Sequence, residues 1–321
     1  MLRYRPWRLV FLVLLLGCTA CDGSRADIPP ATATLLTPTP TRVLTPIPTP
    51  MRALTPTPAP TATNPPVSTT APTVAPSPTP TASPAACSEG HGRIVRARIT
   101  SAYLGKQQDY RVYLPPCYAQ QRDRRYPVVY LLHGAGRDDG HWDDVGVDEA
   151  ADPLIVSGQI PPLLIVLPDG NRTYGPPTGD PPPFAGFLVQ ELIPHIDGAY
   201  RTRPDREHRA IGGISLGGAW ALLLAARYPE IFSAVGGHSP AIGTLNGINP
   251  DVDALVTEKL RIYLDVGAQD SLKRPTAAFD AALTQAHGPH EFHVYPGGHI
   301  EAYWTSHLEE YLHFYAQTWR Q

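Results

Sequence analysis

The chain is expected to fold as a single α/β domain, a mostly parallel central sheet with helices on both faces, preceded by a long segment that does not fold. Two observations predict this. From residue 93 onward, short continuous apolar runs alternate with amphipathic stretches of helical length. Before Cys87, Thr-Pro repeats dominate, and nearly half of the 38 prolines lie there. Such a stretch cannot bury enough apolar surface to offset the entropy of ordering it. What remains, Cys87 to Gln321, is about 235 residues, enough for one sizeable core. The expected organisation is an export signal with a lipobox over 1–18, a Thr/Pro-rich linker over 19–86 and one folded domain over 87–321.

The beginning of the chain reads as an export signal. Arg3, Arg5 and Arg8 precede an apolar run from Leu9 to Leu16, which is too short to span a bilayer. Leu15-Leu16-Gly17-Cys18 resembles a bacterial lipobox, whose cysteine takes lipid after cleavage, so Cys18 is the expected attachment site. Cys21 is a weaker candidate, because a cysteine and not an aliphatic residue stands three positions before it. Ordinary cleavage without lipid and an uncleaved anchor are the competing readings. The T-P-T-P and T-P-I-P-T-P units that follow favour extended, solvated, polyproline-like chain. Their expected role is a spacer, with proline-rich ligand motifs for partner domains as the sharper alternative.

Within the domain, Arg93 to Thr100 alternates as a half-buried strand does, and Asp109 to Leu114 ends at Pro115-Pro116. These two lie close together, so an antiparallel edge is expected. Val128 to Leu132 and Leu163 to Leu167 are continuous apolar runs suited to strands buried on both faces. Further strands are expected around Arg209 to Gly213, Ala234 to Gly237, Arg261 to Val266 and Glu291 to Tyr295. Helices are expected over Val147 to Ser157, Phe187 to Tyr200 with a bend or split at Pro194, Leu216 to Arg227, Thr276 to Ala286, and Ala302 to Thr318.

Cys87 and Cys117 are the two cysteines of the folded part. An exported protein meets an oxidising environment, so the pair suggests a disulfide tying the domain's start to the end of its second strand. Two buried free thiols are the alternative. No ligand spacing for a metal accompanies them. The formal net charge is −3 and no basic run appears in the folded part, which argues against nucleic acid as a partner.

Gly213-Ile214-Ser215-Leu216-Gly217 is a G-x-S-x-G motif between an expected strand and an expected helix. A sharp turn there would force the serine into a strained conformation, with crowding that calls for glycine at its flanks. The helix beginning at the serine turns its positive end toward developing negative charge. A serine hydroxyl is a weak nucleophile and needs a base, itself oriented by an acid. In α/β-hydrolases these follow in the order serine, acid, histidine.

Asp270 lies just beyond the strand Arg261 to Val266, at the same sheet edge as Ser215. Asp265 is the rival acid, but lies inside the strand, where a structural hydrogen bond is the expected use. Of twelve histidines, His299 follows the last strand in Pro296-Gly297-Gly298-His299, where two glycines allow a tight loop over the sheet edge. His290, His293, His307 and His313 fall in or beside expected strands and helices. His238 and Trp304 are candidates for lining the pocket. Leu131-Leu132-His133-Gly134-Ala135-Gly136 ends a strand in small residues, so the backbone N–H groups of Ala135 and Leu216 are the expected oxyanion donors, and His133 is expected to be structural. The segments Arg172 to Thr178 and Asp180 to Phe184 are expected to form a loop over the site.

Several segments, in order, resemble the putative-esterase family, also called the esterase D-like group, which includes feruloyl esterases, enterochelin-type esterases, S-formylglutathione hydrolases and antigen 85-like acyltransferases. They are Y-R-V-Y-L-P-P at Tyr110 to Pro116, Y-P-V-V-Y-L-L-H-G at Tyr126 to Gly134, E-L-I-P-H-I-D at Glu191 to Asp197 and Y-R-T at Tyr200 to Thr202. G-I-S-L-G-G at Gly213 to Gly218, Y-P-E-I-F at Tyr228 to Phe232 and H-S at His238-Ser239 complete the set. The resemblance implies an α/β-hydrolase fold, a triad of Ser215, Asp270 and His299, and neither cofactor nor metal. It implies hydrolysis of a carboxylic ester through an acyl-enzyme. The alternatives are acyl transfer to a cell-surface sugar or lipid, and a non-catalytic surface protein on the same fold. The expected partners are a small-molecule or polysaccharide-linked ester and, through a lipid anchor only, the membrane.

Overall fold

The structure is a computed structural model, and it describes residues 88–243 and 247–319. The expected export signal, Cys18, Cys21, the expected linker and Cys87 lie outside the described residues. Eight strands form one sheet: β1 (Arg93–Ser101), β2 (Lys106–Leu114), β3 (Val128–Leu132), β4 (Leu164–Pro168), β5 (Arg209–Ile214), β6 (Ala234–His238), β7 (Arg261–Gly267) and β8 (His290–Tyr295). Their order is β1-β2-β4-β3-β5-β6-β7-β8. β1 and β2 are the expected antiparallel edge, β2 pairs antiparallel with β4, and β3 to β8 run parallel.

The continuous apolar runs have a direct cause in the layering. In β3, Val128, Tyr130 and Leu132 enter one core, while Val129 and Leu131 enter the other. β4 divides in the same way, with Leu164 and Val166 on one side and Ile165 and Leu167 on the other. A strand covered on both faces has no polar alternation to display.

The first face is packed by α3 (Pro183–Gly186), the π-helical turn Phe187–Leu192, α4 (Ile193–Ala199), α5 (Leu216–Arg227), α6 (Val252–Thr257) and α7 (Lys273–Gln285). The second is packed by α1 (His141–Asp144), α2 (Val147–Val156), α8 (Glu301–Thr305) and α9 (Leu308–Ala316). This layering of helices on both faces of a mostly parallel sheet is the α/β-hydrolase fold.

The expected helices differ in three places. The helix expected over Phe187 to Tyr200 changes type just before Pro194, with a π-helical turn over Phe187–Leu192 followed by α4, and helical dihedrals continue through Leu192 and Ile193. Helix α7 begins at Lys273, with Pro275 in its first turn, where a missing N–H costs nothing. The expected final helix is two helices, broken at Ser306 and His307, where the His307 ring stacks on Tyr295 at 4.4 Å.

The order of the sheet reverses between β3 and β5, whose neighbouring C-terminal ends therefore open a crevice. Ser215 follows β5, and His133 to Gly136 follow β3. At the other end of the second strand, Cys117 is buried and its N–H donates to the Glu89 carboxylate at 2.7 Å. That contact fixes the start of the described chain beside Cys117.

Candidate active site

Ser215 sits between β5 and α5 with φ 56° and ψ −116°, a region that side chains other than hydrogen resist. Two hydrogen bonds hold it there. Its N–H donates to His238 O at 2.8 Å, and its carbonyl accepts from Ala241 N–H at 2.9 Å. The strain is thus opposed from both sides by the segment that follows β6. The glycines around it answer to crowding. A Cβ at Gly217 would overlap the carbonyl oxygens of Leu132 and His133, and one at Gly213 would overlap the Gly217 carbonyl. A Cβ at Gly218 would lie 2.7 Å from Gly213 O. The turn can therefore press against the end of β3 only because these positions have no side chain.

The Ser215 Oγ lies 2.9 Å from His299 Nε2, and His299 Nδ1 lies 2.9 Å from Asp270 Oδ2. The other Asp270 oxygen accepts the Leu272 N–H at 2.8 Å. Burial pushes the Asp270 carboxyl up, but the hydrogen bonds from His299 and the Leu272 N–H outweigh it and hold the group below the usual carboxylate range. An ionised Asp270 requires the His299 proton on Nδ1, which leaves Nε2 to accept from the serine hydroxyl. The loop carrying His299 is fixed by Gln269 N–H to Gly297 O at 2.8 Å and Gly297 N–H to Gln269 Oε1 at 2.9 Å. Gly267 allows this approach, since a Cβ there would overlap Gly297 O.

Asp265 takes no part in this relay. It is fully buried, accepting from His238 Nδ1, the Tyr303 hydroxyl and the Tyr311 hydroxyl, each at 2.8 Å. His238, expected as a pocket residue, is also fully buried, and its Nε2 bonds the Tyr315 hydroxyl at 2.9 Å. The correction follows from strand parity, because His238 shares a face with Ala234 and points into the layer beneath α9, away from the crevice. Trp304 is buried and packs its ring edge-on to His299, centroids 5.0 Å apart, so it supports the imidazole ring.

The expected loop over the site is corrected in part. Pro183 and Phe184 open α3, and Phe184 is buried against Tyr174, Phe187 and Trp220. Asn171, Arg172 and Tyr174 have positive φ, and this strained turn backs the loop after β3. There the Tyr174 hydroxyl donates to His133 O at 2.6 Å, and Trp142 Nε1 donates to Leu132 O at 2.9 Å. His133 itself is buried, with Nδ1 toward Gly134 O and Nε2 accepting from Gly170 N–H, both at 2.8 Å. Sequence reading passed over Tyr174 and His141, whose Nδ1 accepts the Gly134 N–H at 3.0 Å. No motif contains either residue, and their contacts exist only once the loops meet.

The sequence profile described as putative esterase matches residues 101–315. The chain belongs to the putative esterase family. Among relatives of this esterase-family chain is an endo-1,4-beta-xylanase/feruloyl esterase of Xylanibacter ruminicola, 35% identical over 213 residues, covering 62% of this chain and 28% of that protein. Another is an esterase of Mycobacterium tuberculosis, 28% identical over 267 residues, 66% of this chain and 57% of that protein. The chain thus spans well under two thirds of the length of these curated relatives. A solved ferulic acid esterase superposes with a TM-score of 0.65 at 30% identity, over 71% of this chain and 99% of that one. An S-formylglutathione hydrolase of Staphylococcus aureus, at 18% identity and a TM-score of 0.59, shares the fold over 70% of this chain and 97% of its own.

Proposed function

We propose that this chain is an extracytoplasmic serine ester hydrolase that works through an acyl-enzyme, with Ser215 as nucleophile, His299 as base and Asp270 as the acid that orients it. The observation that carries the reading is the continuous relay of two 2.9 Å hydrogen bonds from Asp270 through His299 to a serine on a strained strand-to-helix turn. Ser215 Oγ bonds to the ester carbonyl carbon while its proton passes to His299 Nε2. The backbone N–H groups of Ala135 and Leu216 take the charge that develops on the carbonyl oxygen. The carbon–oxygen ester bond breaks, and the alcohol leaves with the proton from His299. Water then bonds to the acyl carbon while its proton passes to His299, the bond from that carbon to Ser215 Oγ breaks, and Oγ takes the proton back as the acid leaves.

Feruloyl-type esters are the first substrates to assay, because two relatives at 30% identity or more carry that activity in their names. The test is a panel of short acyl nitrophenyl esters, feruloyl esters and acetylated sugars, with and without alcohol acceptors, on wild type and Ser215→Ala. Turnover that depends on Ser215 with at least one ester supports the reading. Turnover equal in both proteins rejects it, and acyl products formed with the acceptors would make the chain a transferase.

Two features of export complete the proposal. Lipid on Cys18 would hold the protein at the membrane, with the Thr/Pro linker as spacer. The protein is then expected in the membrane fraction, and Cys18→Ser is expected to release it or stall its processing. Wild-type protein wholly in the medium and lacking Cys18 would rule the anchor out. Cys87 is proposed to bond Cys117. Cys87 lies two residues before Glu89, whose carboxylate is held at Cys117 N–H, and two residues reach at most about 7 Å. A loop of about 30 residues closed in this way stabilises the fold by roughly 3 kcal/mol. Two titratable thiols in the oxidised, unfolded protein would contradict the pairing.

A further inference from the structure

The loop after β3 has three successive backbone N–H groups with different fates. Gly134 N–H donates to His141 Nδ1 at 3.0 Å, and Gly136 N–H donates to Arg172 O at 2.7 Å. Between them, Ala135 N–H has no acceptor among the described residues. A hydrogen bond on each side thus fixes the turn, and the middle donor is left over. We infer that His141 is a positioning residue for this oxyanion loop: its Nδ1 takes up the Gly134 N–H and so sets the Ala135 N–H toward the reacting ester oxygen. The inference rests on the serine hydrolase reading and assigns a role to a side chain outside the triad.

Three further observations support it. Gly134 admits the ring, since a Cβ there would stand 3.3 Å from His141 Cε1. Burial, with the nearby charge of Arg137 and the proximity of His133, pushes His141 down to about 4 against a smaller opposing effect of Asp138, so the ring is neutral and Nδ1 has a lone pair to offer. The ring is also held from the side that carries the base. His141 meets Trp304 edge-on at 6.2 Å, and Trp304 in turn meets His299 at 5.0 Å. Around this contact, Arg137 pairs with Glu301 at 2.7 Å, and the Thr305 hydroxyl donates to Val145 O at 3.1 Å. Helix α8 therefore locks the oxyanion loop and the His299 loop into one unit.

The test separates positioning from bulk. His141→Leu removes the acceptor, whereas His141→Asn places an amide oxygen close to where Nδ1 stands. In His141→Leu, kcat is expected to fall about 100-fold, the scale for losing one oxyanion donor, with KM changed less than about threefold. Affinity for phenylboronic acid, whose adduct with serine mimics the tetrahedral intermediate, should fall by a similar factor. His141→Asn should recover both to within about threefold of wild type. Amide exchange supplies a measurement that needs no variant, because the Gly134 N–H of wild type should exchange slowly for a loop residue. A folded His141→Leu with wild-type kcat and boronic acid affinity would overturn the inference. So would an Asn variant as impaired as Leu, or a rapidly exchanging Gly134 amide. A wild-type protein that turns over no ester and binds no boronic acid would instead overturn the hydrolase reading, and this inference with it.

Discussion

Ser215→Ala is expected to lower ester turnover by on the order of 10⁴ or more while leaving the melting temperature unchanged. The methyl group keeps the backbone and its two clamping hydrogen bonds, to His238 O and from Ala241 N–H, and removes only the attacking oxygen. His299→Ala should cost a similar factor, since among the described residues no other base is hydrogen-bonded to Ser215 Oγ. Asp270→Asn should cost less than either, because the amide can still hold the ring but can no longer stabilise the imidazolium. Hydrogen bonds from His299 and the Leu272 N–H hold the Asp270 carboxyl below the usual carboxylate range, so its hold on the His299 ring should persist through the neutral range and be lost only as pH falls through that lowered range. Stopped-time assays across pH on wild type and the three variants, with melting curves at each pH, check this. Full activity in a folded Ser215→Ala protein would end the mechanism.

Asp265→Ala should act on the other side of the ledger, destabilising the fold by about 3–5 kcal/mol. The carboxylate satisfies three buried donors, His238 Nδ1, Tyr303 and Tyr311, and each unsatisfied buried donor costs roughly 1–3 kcal/mol. Denaturant melts are the measurement, and the midpoint should drop without a change in slope. A loss under about 1 kcal/mol would show that the network is dispensable. The comparison also decides between the two aspartates. Asp270→Asn should lose turnover and keep stability, and Asp265→Asn the reverse. Abolished turnover in a fully stable Asp265→Asn protein, with Asp270→Asn untouched, would reassign the acid.

The layered sheet was legible because parallel strands covered on both faces leave unbroken apolar runs, and Val128 to Leu132 emerged with the expected bounds. The serine turn was legible for a similar reason, since close backbone approach demands glycine at positions a sequence displays openly. Placement beyond strand ends brought Ser215, Asp270 and His299 to one edge before any distance was known. What stayed hidden depends on contacts between distant segments. The side to which His238 points turns on its register against Ile214 and Asp265. The π-helical turn before Pro194 and the break at Ser306 and His307 are local compromises with packing, and no residue pattern announces them. His141 carries no motif because its partner is a backbone amide seven residues away.

The glycine notch beneath α9 has a consequence for synthesis. A Cβ at Gly212 or Gly236 would overlap the Tyr315 hydroxyl, so the sheet is carved to receive that one ring. The same hydroxyl bonds His238, while Tyr303 and Tyr311 bond Asp265. As the chain leaves the ribosome, the strands bearing His238 and Asp265 emerge well before these tyrosines. Until the segment through Tyr315 is free, a notch in the middle of the sheet stays unfilled and a histidine–carboxylate pair lacks its hydroxyl partners. His299 also comes from this late segment. On the mechanism proposed above, the nucleophile would be made long before its base, and the residues that activate the serine would arrive together with those that seal the core. A nascent chain ending short of His299 would on that mechanism lack its base, so hydrolysis would not begin ahead of folding.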